Sequence, residues 1–324
     1  MNMKHLMTLA ALPAALLAPS AFADETQTLR LQNFIGTVNI TTGERFDVSG
    51  KTDGITETRE GGLIIDGNQA IDNSHCKTTN GNINISIGKK SWFKQIGGYK
   101  DIKDYPNLYI SVPPSTHLDI ADSVIFGTGE TFGSVDAHIN SCGSLEIGDV
   151  SGPVELKVSG SGDFKAGTVG EANVRISGSG DVTLGDMEMA ILKVSGSGDL
   201  DGGDIVGPAK ITTSGSGDID IGRLIGALIF EGRGSSELYI EAVTGSSSIT
   251  LSGSGDVEID DGKIAELLIT SRGSGEFEFG GRAGNVTALS SGSGNIEIAD
   301  ATGTREVKTS GSATVKIGSK RYDN

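Results

Sequence analysis

Leu156-Lys157-Val158-Ser159-Gly160-Ser161-Gly162-Asp163-Phe164-Lys165-Ala166 is the stretch that decides the fold, because the chain keeps returning to it. Its Ser-Gly-Ser-Gly-Asp centre and variants of it begin at Ser159, Ser177, Ser195, Ser214, Arg233, Ser252, Arg272, Ser291 and Ser310, at intervals of 18, 18, 19, 19, 19, 20, 19 and 19 residues. A weaker copy, Asn140-Ser141-Cys142-Gly143-Ser144, comes before them. Self-similarity at a fixed period of this length marks a stack of identical structural units.

Each unit carries two short alternating stretches around its glycines. The first puts Leu156, Val174, Leu192, Ile211, Phe230, Ile249, Ile269, Ala288 and Val307 in one column. The second puts Phe164, Val182, Leu200, Ile219, Leu238, Val257, Phe277, Ile296 and Val315 in another, with polar residues between the apolar ones. Alternation with period two means half-buried strands. Two such strands per 18–20 residues are too short for hairpins of constant spacing. They suit one turn of a β-solenoid, in which each strand pairs in parallel with its copy in the next coil. At ~4.8 Å per coil, ten coils give a rod roughly 45–50 Å long. The expected fold is therefore all-β, a parallel β-helix over 121–324, preceded by a less regular β-rich part over 24–120.

The 49 glycines among 324 residues then become turn residues, expected where the chain bends sharply and often needs positive φ. Only 7 prolines and no three-residue period exclude collagen. Carboxylates follow the glycines at Asp163, Asp181, Asp199, Asp218 and Asp256, and stacking would bring them close enough to repel. Two devices could offset this: bound calcium, or acceptance of turn amide hydrogen bonds. The same column holds Glu237, Glu276, Asn295, Thr314 and Ser144, which favours the amides over a fixed cation cage, so no cofactor is expected and calcium is the alternative.

On the outward face of the strands, Lys157, Arg175 and Lys193 line up as a thin basic strip, while Asp201, Asp220, Glu258, Glu278 and Glu297 make an acidic one. Both read as a solvated face that deters edge pairing. The basic strip has contact with an acidic polysaccharide as its alternative, which adds its three residues to the candidate ligand patch. A formal charge of -16 excludes nucleic acid as a partner. Arg233 with Glu237 and Arg272 with Glu276 read as outward ion pairs. Cys76 and Cys142 can form one disulfide in an oxidising compartment; with His75, His117 and His138 they give no metal-ligand spacing.

The first residues explain that compartment. Lys4, the apolar run from Leu6 to Leu17 and Ala21-Phe22-Ala23 form a secretory signal peptide, 1–23, cleaved before Asp24. The run is too short for a membrane span and contains Pro13, and no later segment is apolar enough to be one. The expected destination is the periplasm, with the cell surface or the medium as alternatives.

Residues 24–120 are less regular. Phe34–Ile40 reads as a strand–turn–strand opening, Thr78–Ile85 as a degenerate copy of the glycine turn, and Leu108-Tyr109-Ile110-Ser111-Val112-Pro113-Pro114 leads into the coils. Together with the Ser-Gly-Ser-Gly-Asp-Val steps, these pieces resemble the bacterial head GIN domain family, named for auto-transporter adhesins and without an assigned function. The resemblance spans nearly all of the chain after residue 23. It implies an exported, right-handed parallel β-helix and brings no catalytic residues with it. No set of alternating ~10-residue membrane strands follows the last coil before Asn324, so the chain reads as a passenger-like module.

One stretch interrupts the pattern. Lys89-Lys90-Ser91-Trp92-Phe93-Lys94, continuing to Lys103, holds the only Trp. It reads as a loop or short helix that caps the open end or a lateral groove of the solenoid; the alternative is an aromatic and basic patch, Trp92, Phe93 and Lys94, for glycans or envelope components. A β-helix can also carry a polysaccharide lyase or hydrolase, but the carboxylates here follow the repeat, and no nucleophile elbow, phosphate loop or zinc motif occurs. The sequence reading is a non-catalytic surface, adhesion or envelope protein, with a polysaccharide-acting enzyme as the alternative.

Overall fold

The computed structural model describes residues 27–71, 74–79, 82–87, 90–91, 94–95 and 98–323; the signal peptide, Trp92 and Phe93 lie outside them. The repeats wind into a β-solenoid of about 11 turns with coils about 19 residues apart. Strands before the glycine turn are called leading strands below, and those after it trailing strands.

The two apolar columns read from the sequence pair in register. Leu156 faces Val174, then Leu192, Ile211, Phe230, Ile249, Ile269, Ala288 and Val307 along the leading strands. Phe164 faces Val182, Leu200, Ile219, Leu238, Val257, Phe277, Ile296 and Val315 along the trailing strands. Nearly all are buried in one continuous core. A third inward column escapes the two-strand reading: Phe132, Val150, Val169, Met187, Ile205, Leu224 and Val243 bridge coil to coil where the trailing strand turns back toward the next leading strand. Six of the ten phenylalanines are fully buried, so the interior accepts more rings than its narrow coils suggest.

The glycine turns are tight for a different reason than expected. None of Gly160, Gly162, Gly178, Gly180, Gly196, Gly198, Gly215 and Gly217 has positive φ. Instead, a Cβ on Gly196 would lie 1.9 Å from the Gly178 carbonyl oxygen, and one on Gly198 2.1 Å from that of Gly180. Successive turns stack backbone on backbone, which only a residue without a side chain permits.

The N-terminal part continues the stack, but not in sequence order. Strand Thr28–Gln32 lies parallel between Gly62–Asp66 on one side and His117–Ala121 on the other. Strand Ile35–Thr42 lies likewise between Asn107–Val112 and Val124–Gly129. The first coil in sequence is thus the second in space, slotted between chain that follows it by dozens of residues. Phe34–Ile40 therefore holds no strand–turn–strand: the corner falls at Asn33 (φ +49°) and a single strand follows.

Antiparallel strands close this end, Thr56–Thr58 on Gly62–Asp66 and Asp47–Lys51 on Asn107–Val112. At the far end Lys320–Tyr322 folds antiparallel over Val315–Ile317. Arg305–Thr309 pairs on one side only among the described residues, and its Arg305, Glu306 and Lys308 deter edge-to-edge pairing.

The described residues between 67 and 106 leave the stack. Residues 78–79 and 82–85 do not belong to a coil of the stack but to two antiparallel strands, Ser74–Thr79 and Asn82–Ile87, with Lys100–Asp101 added beside them. A second small hairpin pairs Lys90–Ser91 with Lys94–Gln95, and the 3-10 turn Ile102–Asp104 leads back. The described part of this insertion covers the side of the solenoid rather than its end. Ile71, Ile85, Ile102 and Tyr105 form a second core with Ile35 and Val124, the outer residues of two trailing strands.

Candidate functional site

The carboxylates of the glycine turns have a structural occupation. Each Oδ1 accepts the backbone N–H of the equivalent residue one coil later: Asp163 from Asp181 at 3.1 Å, Asp181 from Asp199 at 3.0 Å, Asp199 from Asp218 at 2.8 Å, and Asp218 from Glu237 at 2.8 Å. Asp256 accepts from Glu276 at 2.6 Å. A second ladder, not foreseen, runs along another corner: Asp149 accepts from Thr168, Asp186 from Asp204, and Asp204 from Arg223 at 2.8–2.9 Å. A carboxylate that satisfies an amide of the next coil supplies what the sheet ladder does not reach at a corner.

The outward trailing column runs Thr128, Glu146, Lys165, Thr183, Asp201, Asp220, Tyr239, Glu258, Glu278, Glu297 and Lys316. Its ends are neutralised by ion pairs, Lys165–Glu146 at 2.9 Å and Lys316–Glu297. Its middle is not. Burial, and then the charges of Asp220, Asp199 and Asp181, push the Asp201 carboxyl above the usual range. Desolvation and the neighbouring Asp260 and Glu278 do the same to Glu258. The Tyr239 hydroxyl donates to Asp260 at 2.6 Å, and this bond raises the phenol to about 12.

On the leading strands His138, Lys157, Arg175 and Lys193 stack in register and give way to Thr212. Arg175 is taken up by Glu155 at 3.0 Å. Burial, and then Lys157, lower the His138 pKa and favour its neutral ring. The strip is on the leading strands, whereas the insertion packs on trailing strands. Lys94 belongs to the small hairpin, and Trp92 and Phe93 lie outside the described residues. The six patch residues read from the sequence are therefore not gathered into one site by what is described. Arg233 pairs with Glu231 at 3.2 Å rather than with Glu237, and among the described residues no ion pair joins Arg272 to Glu276.

Cys76 of the insertion and Cys142 of the first glycine turn are brought side by side, with Cα atoms 6.2 Å apart. The Ser141 hydroxyl adds a bond to the Ser74 carbonyl at 3.2 Å. Beside them Ile71, Ser74, Asp122, Asn140 and Ser141 line a polar cavity of about 230 Å³. A dent of about 240 Å³ near the far end is lined by Ser271, Arg272, Ser290 and Lys308 among others. Neither encloses a constellation of nucleophile and base. Among the described residues no group of three or more His, Cys, Asp or Glu is placed to hold a metal ion.

The trailing strands near the N-terminal end differ from the rest of that face. Asn39, Tyr109 and Thr128 are outward and exposed, with Ser49 opposite Tyr109 on the covering strand. Sequence reading passed over Tyr109. The signal was there in Asn107-Leu-Tyr-Ile-Ser-Val112, where an aromatic occupies a solvent-facing position of the alternation.

No helix among the described residues is long and apolar enough to cross a membrane. No curated protein and no solved structure matches the chain. One family does, under the description "Putative auto-transporter adhesin, head GIN domain", over residues 36–224 and 208–322. Those two matches run from the second strand of the interleaved coil through the insertion and the repeats, and the chain belongs to the head GIN domain family.

Proposed function

We propose that this protein is exported through its 1–23 signal peptide and acts without catalysis, as a rigid rod that presents its outer faces to a component of the cell envelope or of the surroundings. The observation that carries this reading is how the ionisable groups are used. The turn carboxylates accept amides of the next coil, and several charges of the outer columns are paired between coils. A surface or adhesion role fits the family and the solenoid. The periplasm is the compartment this reading favours, since the Cys76–Cys142 pair needs an oxidising environment to close. The test combines two measurements: fractionation with protease accessibility of an epitope-tagged chain, and binding of the labelled purified protein to intact cells and to envelope fractions. Retention in the cytoplasm, or no binding to either preparation, removes the reading.

One observation favours the enzyme alternative enough to test it. Glu258 is held toward its protonated form beside Asp260, which receives the Tyr239 hydroxyl. A carboxyl raised above its ordinary range beside a second carboxyl is the kind of pair that glycoside hydrolysis uses. They sit on an open strand face rather than in a cleft that excludes water. Release of reducing ends from polysaccharides, abolished by Glu258→Gln, would establish that alternative.

A further inference from the structure

We propose that the protein binds neutral glycans on the trailing face at its N-terminal end, with the ring of Tyr109 as the stacking platform; this rests on the surface-binding reading above and gives it a site and a ligand class.

Four adjacent strands build the patch. Ser49, Tyr109, Asn39 and Thr128 form one row across them, and Asn107 and Thr37 begin the next. At ~4.8 Å per strand the row is about 14 Å wide, enough for a short oligosaccharide. Every one of these side chains is uncharged and offers a hydroxyl or an amide. Next to Thr128 the column continues with Glu146 and Lys165, which neutralise each other at 2.9 Å, and farther along it becomes Asp201, Asp220, Glu258, Glu278 and Glu297. On a chain of charge -16, a row of uncharged side chains is the part of this face where a polar, uncharged ligand displaces the fewest hydrated ions.

The aromatic is held ready. Tyr109 is 54% exposed, although it lies within a paired strand. A Cβ on Gly50 would come 3.2 Å from Cδ2 of the ring, so the bare backbone at Gly50 (φ +106°) makes the space in which the ring sits. A ring fixed on one side and open on the other loses little conformational freedom when a ligand lands. The C–H bonds of a sugar face complement the negative face of such a ring, and the sugar hydroxyls require partners around it. Those partners are only partly used. Thr37 Oγ1 donates to Asn107 Oδ1 at 2.9 Å and Asn39 Nδ2 donates to Thr128 Oγ1 at 3.4 Å. Among the described residues this leaves the Asn107 amide donors and the Asn39 carbonyl without partners.

Charge separates neutral sugars from acidic ones. The nearest cation on these strands, Lys51, has its ammonium committed to the backbone carbonyls of Asp104 at 2.8 Å and Lys103 at 3.4 Å. The basic strip of Lys157, Arg175 and Lys193 is on the leading strands instead. An anionic glycan would find no free positive charge at Tyr109 and an acidic field beyond it.

The test is affinity electrophoresis of the purified chain, without its signal peptide, in native gels containing dextran, mannan or galactan, and in parallel gels containing alginate or polygalacturonate. At least one neutral polymer should slow the protein. Tyr109→Ala should weaken that retardation at least about tenfold, equivalent to ~1.4 kcal/mol. Tyr109→Phe, which keeps the stacking face, should stay within about twofold, ~0.4 kcal/mol. Asn39→Asp, which keeps the shape and adds a charge, should also lose binding, while Trp92→Ala/Phe93→Ala should not. Circular dichroism and the urea midpoint of each variant establish that it is folded. The proposal is overturned if no neutral polymer retards the protein, if Tyr109→Ala is retarded like the unaltered chain, or if only the acidic polymers act. Binding to intact cells that persists in Tyr109→Ala defeats this site and leaves the surface-binding reading standing; absence of any binding to cells and envelope fractions defeats both.

Discussion

Replacing Gly198 by Ala adds one carbon where the neighbouring coil leaves no room for it. The new Cβ would lie 2.1 Å from the Gly180 oxygen, 2.9 Å from its carbon and 3.0 Å from its nitrogen, against an ordinary contact of 3.4 Å or more. All three atoms are backbone, so no rotamer change relieves them. The coils must separate locally by about 1 Å, which weakens Ser197 N–H to Gly178 O (2.9 Å) and its neighbours. Overpacking costs ~1–3 kcal/mol, and two ladder hydrogen bonds add ~1 kcal/mol each, so Gly198→Ala should destabilise by roughly 3–5 kcal/mol. The sign is informative, because Gly198 does not have positive φ. Were the residue merely a flexible turn, Ala would instead stabilise by ~0.4–1 kcal/mol through the unfolded chain. Gly98, whose added Cβ would meet nothing within 4 Å, is the control and should be neutral or slightly stabilised. Urea unfolding followed by circular dichroism measures the total. Amide exchange resolved along the coils measures where the loss falls, since stability in a stacked array is a sum of local terms. A Gly198→Ala chain within ~0.5 kcal/mol of the unaltered one would refute the close-approach explanation of the glycine turns.

The aspartate ladder predicts a difference between two substitutions at one site: Asp199→Ala removes the acceptor of the Asp218 amide and should cost ~1 kcal/mol, whereas Asp199→Asn keeps an acceptor, sheds a charge and should be more stable than Asp199→Ala in urea titrations. Asp201 and Glu258 have folded pKa values above the ordinary ones, so the folded state holds their protons more tightly and stability drains away as pH rises through that range. Asp201→Asn with Glu258→Gln should therefore raise the urea midpoint at pH 7 and lose that advantage below about pH 4. Asp66 and Asp204 work in the opposite sense: the Asn68 amide lowers the first carboxyl, the Arg223 guanidinium and then the Arg223 amide lower the second, and their stabilisation disappears as pH falls. If the Cys76–Cys142 bridge forms in the exported chain, thiol titration of the denatured protein finds no free sulfhydryl. Reduction should then cost up to ~4 kcal/mol from the loop it closes, lost first in amide exchange of the 74–87 hairpin; two free thiols in the native exported protein would contradict this.

The repeat region was legible because one spacing fixes everything in it. Once Ser159 is aligned with Ser177, the pairing of Leu156 with Val174 and of Phe164 with Val182 follows, and the structure has both. The third column stayed hidden because Phe132, Val150 and Ile205 stand alone at a corner, with no alternation around them to mark a strand. The role of the turn glycines was misjudged for a related reason: positive φ is a property of one residue, but the obstacle at Gly198 belongs to the coil beneath. The N-terminal part was legible in type and not in topology. Nothing local in Thr28–Gln32 says that it pairs with both Gly62–Asp66 and His117–Ala121. Of the candidate sites, Lys157, Arg175 and Lys193 did stack as read, whereas Tyr109 emerged only when the strands around it were placed side by side.

The interleaved coil sets order in space against order of synthesis. Thr28–Thr42 is among the earliest chain to emerge, yet its two flanks are completed only when residues up to Gly129 exist. Until then this segment is flanked on one side at most, by Gly62–Asp66 and Asn107–Val112, and the repeats that follow have no finished layer to grow on. Folding that advances coil by coil from the first residue is thus impossible here. The array must nucleate among the regular repeats, or wait until some hundred residues can collapse together around their own beginning. If the chain is exported as proposed, its first layers cannot close until residues up to Gly129 have crossed the membrane.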